Sequence, residues 1–449
     1  MDLDLLIDKY FDEAIRILDE LISKKSVLDN DSISEYAPFG TGNKEALDKF
    51  IEIGNNYGFK TYNHNNYFGF IEYGDKDDIF AILSHLDVVP VNLDEWNSNP
   101  FKLLIKDNVL YGRGVTDDKG PLVAALIALI ALKEEGFIPS VKIRLIAGCD
   151  EETESRCIKE YKKIFGNPKF GFSPDADFPL INGEKAIMSY DIEGYEDSIL
   201  TYAAGGERYN IVPSKCEFKL SIDLKKEFYD YLKMNNYKGK IIDDKYIFYG
   251  VASHAMEPNL GLNAIYIMFD FLSKYTNFKL LDFIKKYYLW DNEGKMAGYY
   301  DEDLLMGKLT SNLAIFNLNN KKFKLGFNVR APHDESFNNI PKILNENFKI
   351  YGYNYKRVYE SKSHYVDANS NIVKTLLDVY NEIAKDNKKP ITIGGGTYAR
   401  EFDNVVAYGP QLPNTKDVCH ISNEYMTVDN FKLIIKIYYK AIKELSKWD

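Results

Sequence analysis

The chain has 449 residues, of which 45% are hydrophobic and 27% are charged, and its formal net charge is −11. This length exceeds one ordinary hydrophobic core, so we expect two domains, and the composition argues against global disorder. An acidic chain repels the phosphates of nucleic acid, and the most apolar stretch, residues 122–132, is too short to span a bilayer.

The cysteines and the N-terminal residues bear on the cellular compartment. The four cysteines, at positions 149, 157, 216 and 419, form no CxxC pair and are too sparse for a disulfide framework. The N-terminal residues MDLDLLIDKYFDEAI lack the basic stretch and the apolar run of a secretory signal peptide. We therefore expect a cytoplasmic protein that binds neither membranes nor nucleic acid.

In the first 185 residues, helical and strand patterns alternate. The apolar run at 79–83 has the continuous character of a strand buried on both faces of a parallel sheet. This alternation predicts an α/β domain with a mixed sheet between helices. In chain order the patterns predict helices at 3–23 and 43–57, strands at 61–73 and 79–83, a helix at 121–135 and a strand at 141–147.

From residue 186 strand patterns dominate, which predicts an inserted α+β domain. Asn319 and Asn320 separate two strand patterns and tolerate the left-handed backbone of a tight hairpin turn. The predicted domains are 1–185 (catalytic, first part), 186–363 (inserted) and 364–449 (catalytic, second part). The predicted elements are strands at 186–192, 200–203, 216–223, 310–318 and 321–330, and helices at 263–275, 372–385 and 428–445.

Polar clusters follow the predicted strands of the first domain. Functional residues of an α/β sheet collect at the carboxyl ends of its strands, and two of the clusters begin where an apolar strand ends. The clusters are His85-Leu86-Asp87, Asp117-Asp118, Asp150-Glu151-Glu152, the pair Asp175 and Asp177, and the late His420.

Each cluster alone has a plain structural explanation. Asp117-Asp118 could cap the following helix, residues 150–152 could form a solvated loop, and His85 could be a hydrogen-bonded core histidine. Together the clusters place several costly charged groups at the ends of buried strands, which favours a function.

A pair of metal ions explains the whole set. Two imidazoles and three carboxylates suit zinc or another divalent transition metal. Asp117 is our candidate for the carboxylate shared by two ions, Asp87 for the residue that orients His85, and Glu151 for the general base. The candidate ligands are His85, Asp117, Glu152, Asp175 and His420.

At these positions the sequence resembles the aminoacylase and carboxypeptidase-like family of co-catalytic di-metal peptidases. The matching segments are SHLDVVP (84–90), GRGVTDDKGP (112–121) and DEET (150–153). Two further segments, SPDADFP (173–179) with GEK (183–185) and GGGTYAR (394–400), resemble its dipeptidase V-like branch.

The resemblance implies a role for each matched residue of the centre. One ion would be held by His85 and Asp175, the other by Glu152 and His420, with Asp117 bridging them. Asp87 would orient His85, and Glu151 would activate the bridging water. The peptide bond between Asp117 and Asp118 would be cis.

The resemblance also implies that the inserted domain is a lid over the site. His254, in GVASHA (250–255), would stabilise the oxyanion, while Asn210 and Arg330 would hold the substrate's backbone and carboxylate. The turn with Gly395, Gly396 and Thr397 would offer N–H groups to the substrate. Without the resemblance, Arg330 would be interpreted as an ion-paired surface residue of a strand.

These features together predict a metal-dependent dipeptidase that hydrolyses the amide bond of short peptides. Its cofactors would be two divalent ions, zinc or alternatively manganese or cobalt, and we expect a monomer. An N-acyl amino acid deacylase or a carboxypeptidase could use the same centre, and a non-catalytic peptide-binding protein is a third alternative. Only the pocket for the substrate's amino end separates the enzymes, and no sequence motif identifies that pocket.

Overall fold

The computed structural model describes residues 2–448, in two compact units. The predicted catalytic domain begins and ends at residues 1 and 449, which lie outside the described residues. The segment Thr392–Gly395 belongs to the second unit. Its main chain is hydrogen-bonded to that unit, since the N–H of Lys185 donates to Ile393 O (2.9 Å). The first unit comprises Met1–Asn182, Tyr365–Ile391 and Gly396–Asp449, and the second comprises Gly183–His364 and Thr392–Gly395.

The helices of the first unit follow the predicted apolar periodicity. The helix Leu3–Ile22 is capped by Asp2, whose carboxylate accepts the N–H of Asp4 (2.9 Å). The helix Lys119–Glu134 is apolar around its circumference and therefore buried along almost its whole length. The helices of this unit are Leu3–Ile22, Thr41–Asn56, Lys119–Glu134, Arg156–Phe165, Asn371–Ala384 and Val428–Leu445.

The central sheet of the first unit is mixed. Ile79–His85 runs parallel to both of its neighbours, whereas Phe68–Tyr73 runs antiparallel to both of its own. Within this unit the strands pair in the order Lys60–His64, Phe68–Tyr73, Lys142–Gly148, Ile79–His85, Phe170–Ser173 and Val405–Ala407.

Helices cover both faces of this sheet. Phe68 and Phe70 point to one face, where their rings lie 5.4 Å from Tyr161 and 5.5 Å from Phe165 of a helix. Gly69 lies on the opposite face, where a Cβ atom would come within 2.9 Å of Leu47 in another helix. Alternate residues of one strand thus meet different helices, which confirms the predicted α/β arrangement.

One strand prediction and one turn prediction were wrong in detail. The strand predicted over 61–73 is a hairpin of Lys60–His64 and Phe68–Tyr73, because Asn65 and Asn66 adopt positive φ angles of 47° and 60°. In the predicted hairpin at 319–320, the left-handed positions are one residue later, at Asn320 (φ 50°) and Lys321 (φ 64°).

The second unit is an antiparallel sheet with helices and an aromatic core. Ring centroids in this core lie 4.8 Å apart for Phe228 and Phe248 and 4.5 Å apart for Tyr288 and Phe327. Its helices are Lys225–Asn235, Ala264–Tyr275, Lys279–Tyr287 and Asp334–Lys349. Its strands pair in the order Lys238–Ile242, Lys245–Tyr249, Lys215–Leu220, Leu200–Gly205, Thr310–Asn319, Lys322–Ala331, Ala186–Tyr195 and Asn354–Ser361.

Short strands complete the fold. Leu104–Lys106, Val109–Tyr111 and Tyr425–Thr427 form a small antiparallel sheet, which joins the segment before Asp117 to the segment after His420. Over residues 2–448, no helix combines the length and the apolar character needed to cross a membrane. The remaining short strands are Ala176–Asp177, Ile181–Glu184, Glu302–Asp303, Gly307–Lys308, His364–Tyr365, Ile391–Ile393 and Pro410–Gln411.

Candidate metal centre

Parallel strand pairing brings three of the polar clusters to one edge of the first unit's sheet. His85 is the last residue of its strand and pairs in register with Gly148, two residues before Asp150. The neighbouring parallel strand ends at Ser173, two residues before Asp175. The carboxyl ends of parallel strands share an edge of the sheet, so side chains distant in sequence converge there.

The five candidate ligands form two groups that share Asp117. In the first group, Nε2 of His85 lies 3.0 Å from Oδ1 of Asp117 and 3.6 Å from Oδ2 of Asp175. In the second, Nε2 of His420 lies 2.9 Å from Oδ2 of Asp117 and 3.0 Å from Oε2 of Glu152. Within each group the ligand atoms all lie within 4.8 Å of one another, a spacing that one ion can bridge.

The orientation of the His85 ring fits a metal ligand. Its Nδ1 lies 2.9 Å from the main-chain carbonyl oxygen of Asp87, which can only accept, so Nδ1 carries the hydrogen. Nε2 then presents a lone pair towards the carboxylates of Asp117 and Asp175. This fully buried nitrogen has no hydrogen-bond partner among the described residues, and a cation between it and the carboxylates would satisfy it.

The two histidines are drawn towards their protonated forms by the carboxylates. Burial lowers the pKa of His85, but Asp117 and Asp175 outweigh burial and raise this pKa well above its ordinary value. The side chain of His420 is 47% exposed; its partial burial lowers its pKa, and its hydrogen bonds with Asp117 and Glu152 raise this pKa to about 11.

The carboxylates of the two groups lie close together, and their pKa values respond to burial and to one another. Burial, together with the charge of Asp117, raises the pKa of Glu152 to about 7 and also raises that of Asp175. Burial tends to raise the pKa of Asp117 as well, but the two histidines lower it below its ordinary value. Divalent cations would neutralise this cluster, so the donor set fits a pair of such ions.

Asp87 and Glu151 are linked through the main chain. The two carboxylate oxygens of Asp87 accept the N–H groups of Glu151 and Glu152, each at 3.0 Å. The same carboxylate lies 3.6 Å from Nδ1 of His85, farther than the carbonyl oxygen of Asp87 itself. Burial raises the pKa of Glu151 well above its ordinary value, and the charge of Asp175 raises it further.

In the second unit, the segments that carry Asn210 and His254 are joined by an isolated antiparallel β-bridge between Ile211 and His254. The N–H of Ala255 donates to Asn210 O (2.8 Å), and the N–H of Val212 donates to Ser253 O (2.9 Å). The N–H of Met256 donates to Nδ1 of His254 (3.2 Å). With Nδ1 as an acceptor, the hydrogen of a neutral imidazole lies on Nε2, which is therefore a donor.

The remaining predicted substrate-binding residues divide between the units. In the second unit, which includes Gly395, the guanidinium of Arg330 is buried, and it donates from Nε to Asn328 Oδ1 and from Nη1 to Gly394 O, both at 2.7 Å. Gly396 and Thr397 belong to the first unit. There the Thr397 hydroxyl accepts the N–H of Ala399 (3.1 Å).

Several residues of the site had no predicted role. The buried carboxylate of Asp118 accepts hydrogen bonds from the Ser84 hydroxyl and from the N–H of His85 (3.2 Å). The peptide bond between Asp117 and Asp118 is cis, as the resemblance implies. Tyr398 lies edge-on to the His85 ring, with 6.3 Å between ring centroids. Its position within the GGGTYAR segment was the only sequence signal for it.

The chain is similar to known sequences over almost its whole length. The model of peptidase family M20/M25/M40 matches residues 81–444. A Staphylococcus epidermidis protein named "Putative dipeptidase" is 34% identical over 459 residues, covering 97% of this chain and 98% of that protein. A Staphylococcus aureus (strain MW2) relative described in the same words is 34% identical, covering 98% of each chain.

Solved structures show the same fold. The yeast di-peptidase Dug1p superposes with a TM-score of 0.60 at 16% identity, covering 99% of this chain and 98% of that one. Human carnosine dipeptidase 1 superposes with a TM-score of 0.58 at 14% identity, covering 99% and 100% respectively. At these identities the likeness extends to the fold, and the predicted family resemblance is confirmed by the sequence matches.

Proposed function

The chain belongs to peptidase family M20/M25/M40, and on that premise we propose that it is a dipeptidase with a dinuclear metal centre. It would hydrolyse the amide bond of short peptides by means of an activated water. The names of the relatives support dipeptides as the substrate class.

The observation that carries this proposal is the position of Asp117. Its two carboxylate oxygens face different histidines, Oδ1 towards His85 (3.0 Å) and Oδ2 towards His420 (2.9 Å). A carboxylate that divides its oxygens between two imidazoles is suited to bridge two ions.

We assign Asp175 and His85 to one ion, Glu152 and His420 to the other, and Asp117 to both. We propose zinc, which this mixture of nitrogen and oxygen donors suits, with manganese or cobalt as alternatives. When bound, two such ions lower the pKa of a water and polarise the scissile carbonyl group.

Glu151 is the proposed general base. Its position beside Glu152 and its raised pKa support a carboxyl group that takes a proton from the attacking water. The same group then delivers this proton to the leaving amine. The two hydrogen bonds to Asp87 support this role because they hold the main chain of the Glu151–Glu152 segment.

The second unit is the proposed lid, and it would supply the remaining groups. Nε2–H of His254 would donate to the developing oxyanion, and Asn210, paired with the same segment, would bind the substrate backbone. Arg330 would bind the terminal carboxylate, together with N–H groups of the turn that contains Gly395, Gly396 and Thr397. Because the guanidinium of Arg330 would bind the free carboxylate at the end of the substrate, the site favours short substrates.

The proposal also includes the cellular setting. Free thiols at all four cysteines support a cytoplasmic location, because a reducing compartment keeps thiols free. We propose that the enzyme acts as a monomer, since a lid carried within the same chain needs no second subunit to supply these groups.

Hydrolysis by metal-free and metal-reloaded protein tests the proposed function. The substrates are alanyl-alanine, N-acetyl-alanyl-alanine and alanyl-alanine amide, and bound metal is counted by elemental analysis. We expect cleavage of the free dipeptide only after reloading with zinc, cobalt or manganese. Glu151→Gln should bind two ions and lose about 10²–10⁴-fold in kcat. The exposed Glu154→Gln, three residues away, is the matched control.

The same substrates separate the alternatives. Cleavage of the N-acetyl compound alone would indicate a deacylase or a carboxypeptidase and overturn the dipeptidase assignment. Two bound ions with no hydrolysis of any substrate would favour a peptide-binding protein. Failure to bind two ions would overturn the dinuclear centre itself.

A further inference from the structure

Glu424 is a buried carboxylate behind the candidate metal centre, with 0% of its surface exposed. Its Oε1 accepts the N–H groups of Thr116 (2.7 Å) and Asp117 (3.1 Å). Its Oε2 accepts the N–H of Gly114 (2.9 Å) and Nη1 of Arg113 (2.8 Å). Four donors on one carboxylate are a strong arrangement for holding a loop, because each bond to an ionised group is stronger than a neutral one.

These four donors all lie in residues 113–117, the segment that ends at Asp117. The N–H of Asp117 itself is one of them, so the bonds reach the main chain of the proposed bridging ligand. Glu424 lies four residues after His420, the ligand of the second group. The carboxylate therefore joins the loops that carry two different ligands.

The guanidinium of Arg113 makes a second connection between the same loops. Its Nη1 pairs with Glu424, and its Nη2 donates to the main-chain oxygen of Ile421 (3.2 Å), the residue after His420. The planar group also lies 5.3 Å from the ring centroid of Trp96. Arg113 is 2% exposed, so water does not compete for these bonds.

Two residues of the loop that carries His420 have a left-handed backbone conformation. His420 has a φ of +64° and Asn423 a φ of +61°, in the left-handed region that residues other than glycine rarely occupy. The side chain of Asn423 also accepts the N–H of Asn97 (2.7 Å) and donates to Glu95 O (2.9 Å). The surrounding structure thus holds the loop from both sides.

We propose that Glu424, paired with Arg113, is a positioning residue that sets the distance between Asp117 and His420 and so completes the second metal site. This inference rests on the proposed dinuclear centre. Three of the four bonds that Glu424 accepts come from the main chain that leads into Asp117.

The test is metal binding by Glu424→Gln, which keeps the shape of the side chain and removes its charge. A buried ion pair on the central sheet supplies the control: Glu72 and Arg144 pair at 2.6 Å, with side chains 13% and 6% exposed. Cobalt is titrated into each metal-free protein, and the two binding steps are followed by calorimetry and by visible absorption. The melting temperature of each metal-free protein is measured in parallel.

We expect Glu424→Gln to bind the cobalt ion held by Glu152 and His420 about 10–100-fold more weakly than wild type does, with altered absorption of that ion. The ion held by His85 and Asp175 should bind normally. Excess cobalt should restore most of kcat. Glu72→Gln should lower the melting temperature and leave both binding steps unchanged. Equal binding of both ions by wild type and Glu424→Gln would overturn the inference and leave the proposed function intact. Wild type that bound no metal pair would overturn both.

A second variant, Glu424→Asp, tests the inference in case Glu424→Gln fails to fold. Glu424→Asp keeps the charge, but its carboxylate is one methylene short of the four donors. We expect an intermediate weakening of the second binding step, with the first unchanged. Equal weakening of both steps, or an effect on the melting temperature alone, would show a structural role and overturn the inference.

Discussion

His85 donates its Nδ1 hydrogen to the main-chain oxygen of Asp87 at 2.9 Å, while the carboxylate of Asp87 lies farther away, at 3.6 Å. The carboxylate instead accepts the N–H groups of Glu151 and Glu152. The main chain of Asp87 therefore orients the histidine, and its side chain holds the segment with the proposed general base.

This division predicts the effect of Asp87→Asn. The main-chain oxygen remains, so binding of the ion held by His85 should change little. The asparagine side chain has one acceptor oxygen where aspartate has two, and its NH₂ group would face the N–H of Glu151 or Glu152. The segment with the proposed general base should shift, so kcat should fall about 10–100-fold. Calorimetry and steady-state kinetics separate the two effects. Weakened metal binding with unchanged kcat at saturating metal would instead show that the side chain orients His85.

Metal binding should release protons. The pKa of His420 is raised to about 11, so in the metal-free protein it is protonated at pH 7, and an ion must displace that proton. Affinity for the second ion should therefore rise with pH, about tenfold per unit for each proton displaced. Calorimetry in buffers of different ionisation enthalpy should show at least one proton released, whereas none would contradict the prediction.

The raised pKa of His420 also predicts how the stability of the metal-free protein changes with pH. A pKa raised on folding contributes stability that is complete below the ordinary value of 6.5 and is lost as the pH rises through about 11. The melting temperature of the metal-free protein should fall over this range, and less so in His420→Gln. The half-buried His64→Gln is the control and should behave as wild type.

Arg330→Lys tests the proposed carboxylate pocket. Lysine keeps the positive charge but cannot reproduce the planar fork that bonds Asn328 and Gly394. We expect KM for a free dipeptide to rise about 10–100-fold, equivalent to the about 1.5–3 kcal/mol of a bond to a charged group, with a smaller change in kcat. Arg357→Lys, at an exposed strand position of the same unit, should leave KM unchanged. An unchanged KM in Arg330→Lys would remove it from the pocket.

Gly148→Ala should displace the ring of Tyr398, which lies edge-on to His85. A Cβ atom there would lie 2.3 Å from the hydroxyl of Tyr398 and 3.0 Å from Sγ of Cys157, so the ring must move. Overpacking of this kind costs about 1–3 kcal/mol. Adding Tyr398→Phe removes the nearest atom, so the double variant should be more stable than Gly148→Ala alone. Thermal unfolding checks this, and a double variant no more stable would refute the steric explanation.

The sequence by itself determined the features that depend on local patterns. Apolar periodicity predicted the sheet of the first unit. The positions of His85 and of Asp150-Glu151-Glu152 at the ends of two predicted strands predicted that these clusters would lie at one edge of the sheet, because parallel strands present their carboxyl ends together. Family motifs then identified the chain's relatives, which the comparisons confirmed.

The tertiary structure alone decided which atoms face each other. Arg113 and Glu424 are separated by 311 positions, and no periodicity links residues so far apart. The choice between the main chain and the side chain of Asp87 as partner of His85 depends on a distance difference below 1 Å, from 2.9 to 3.6 Å. Such differences arise from the packing of whole elements, to which every contact contributes, so a local sequence pattern cannot encode them.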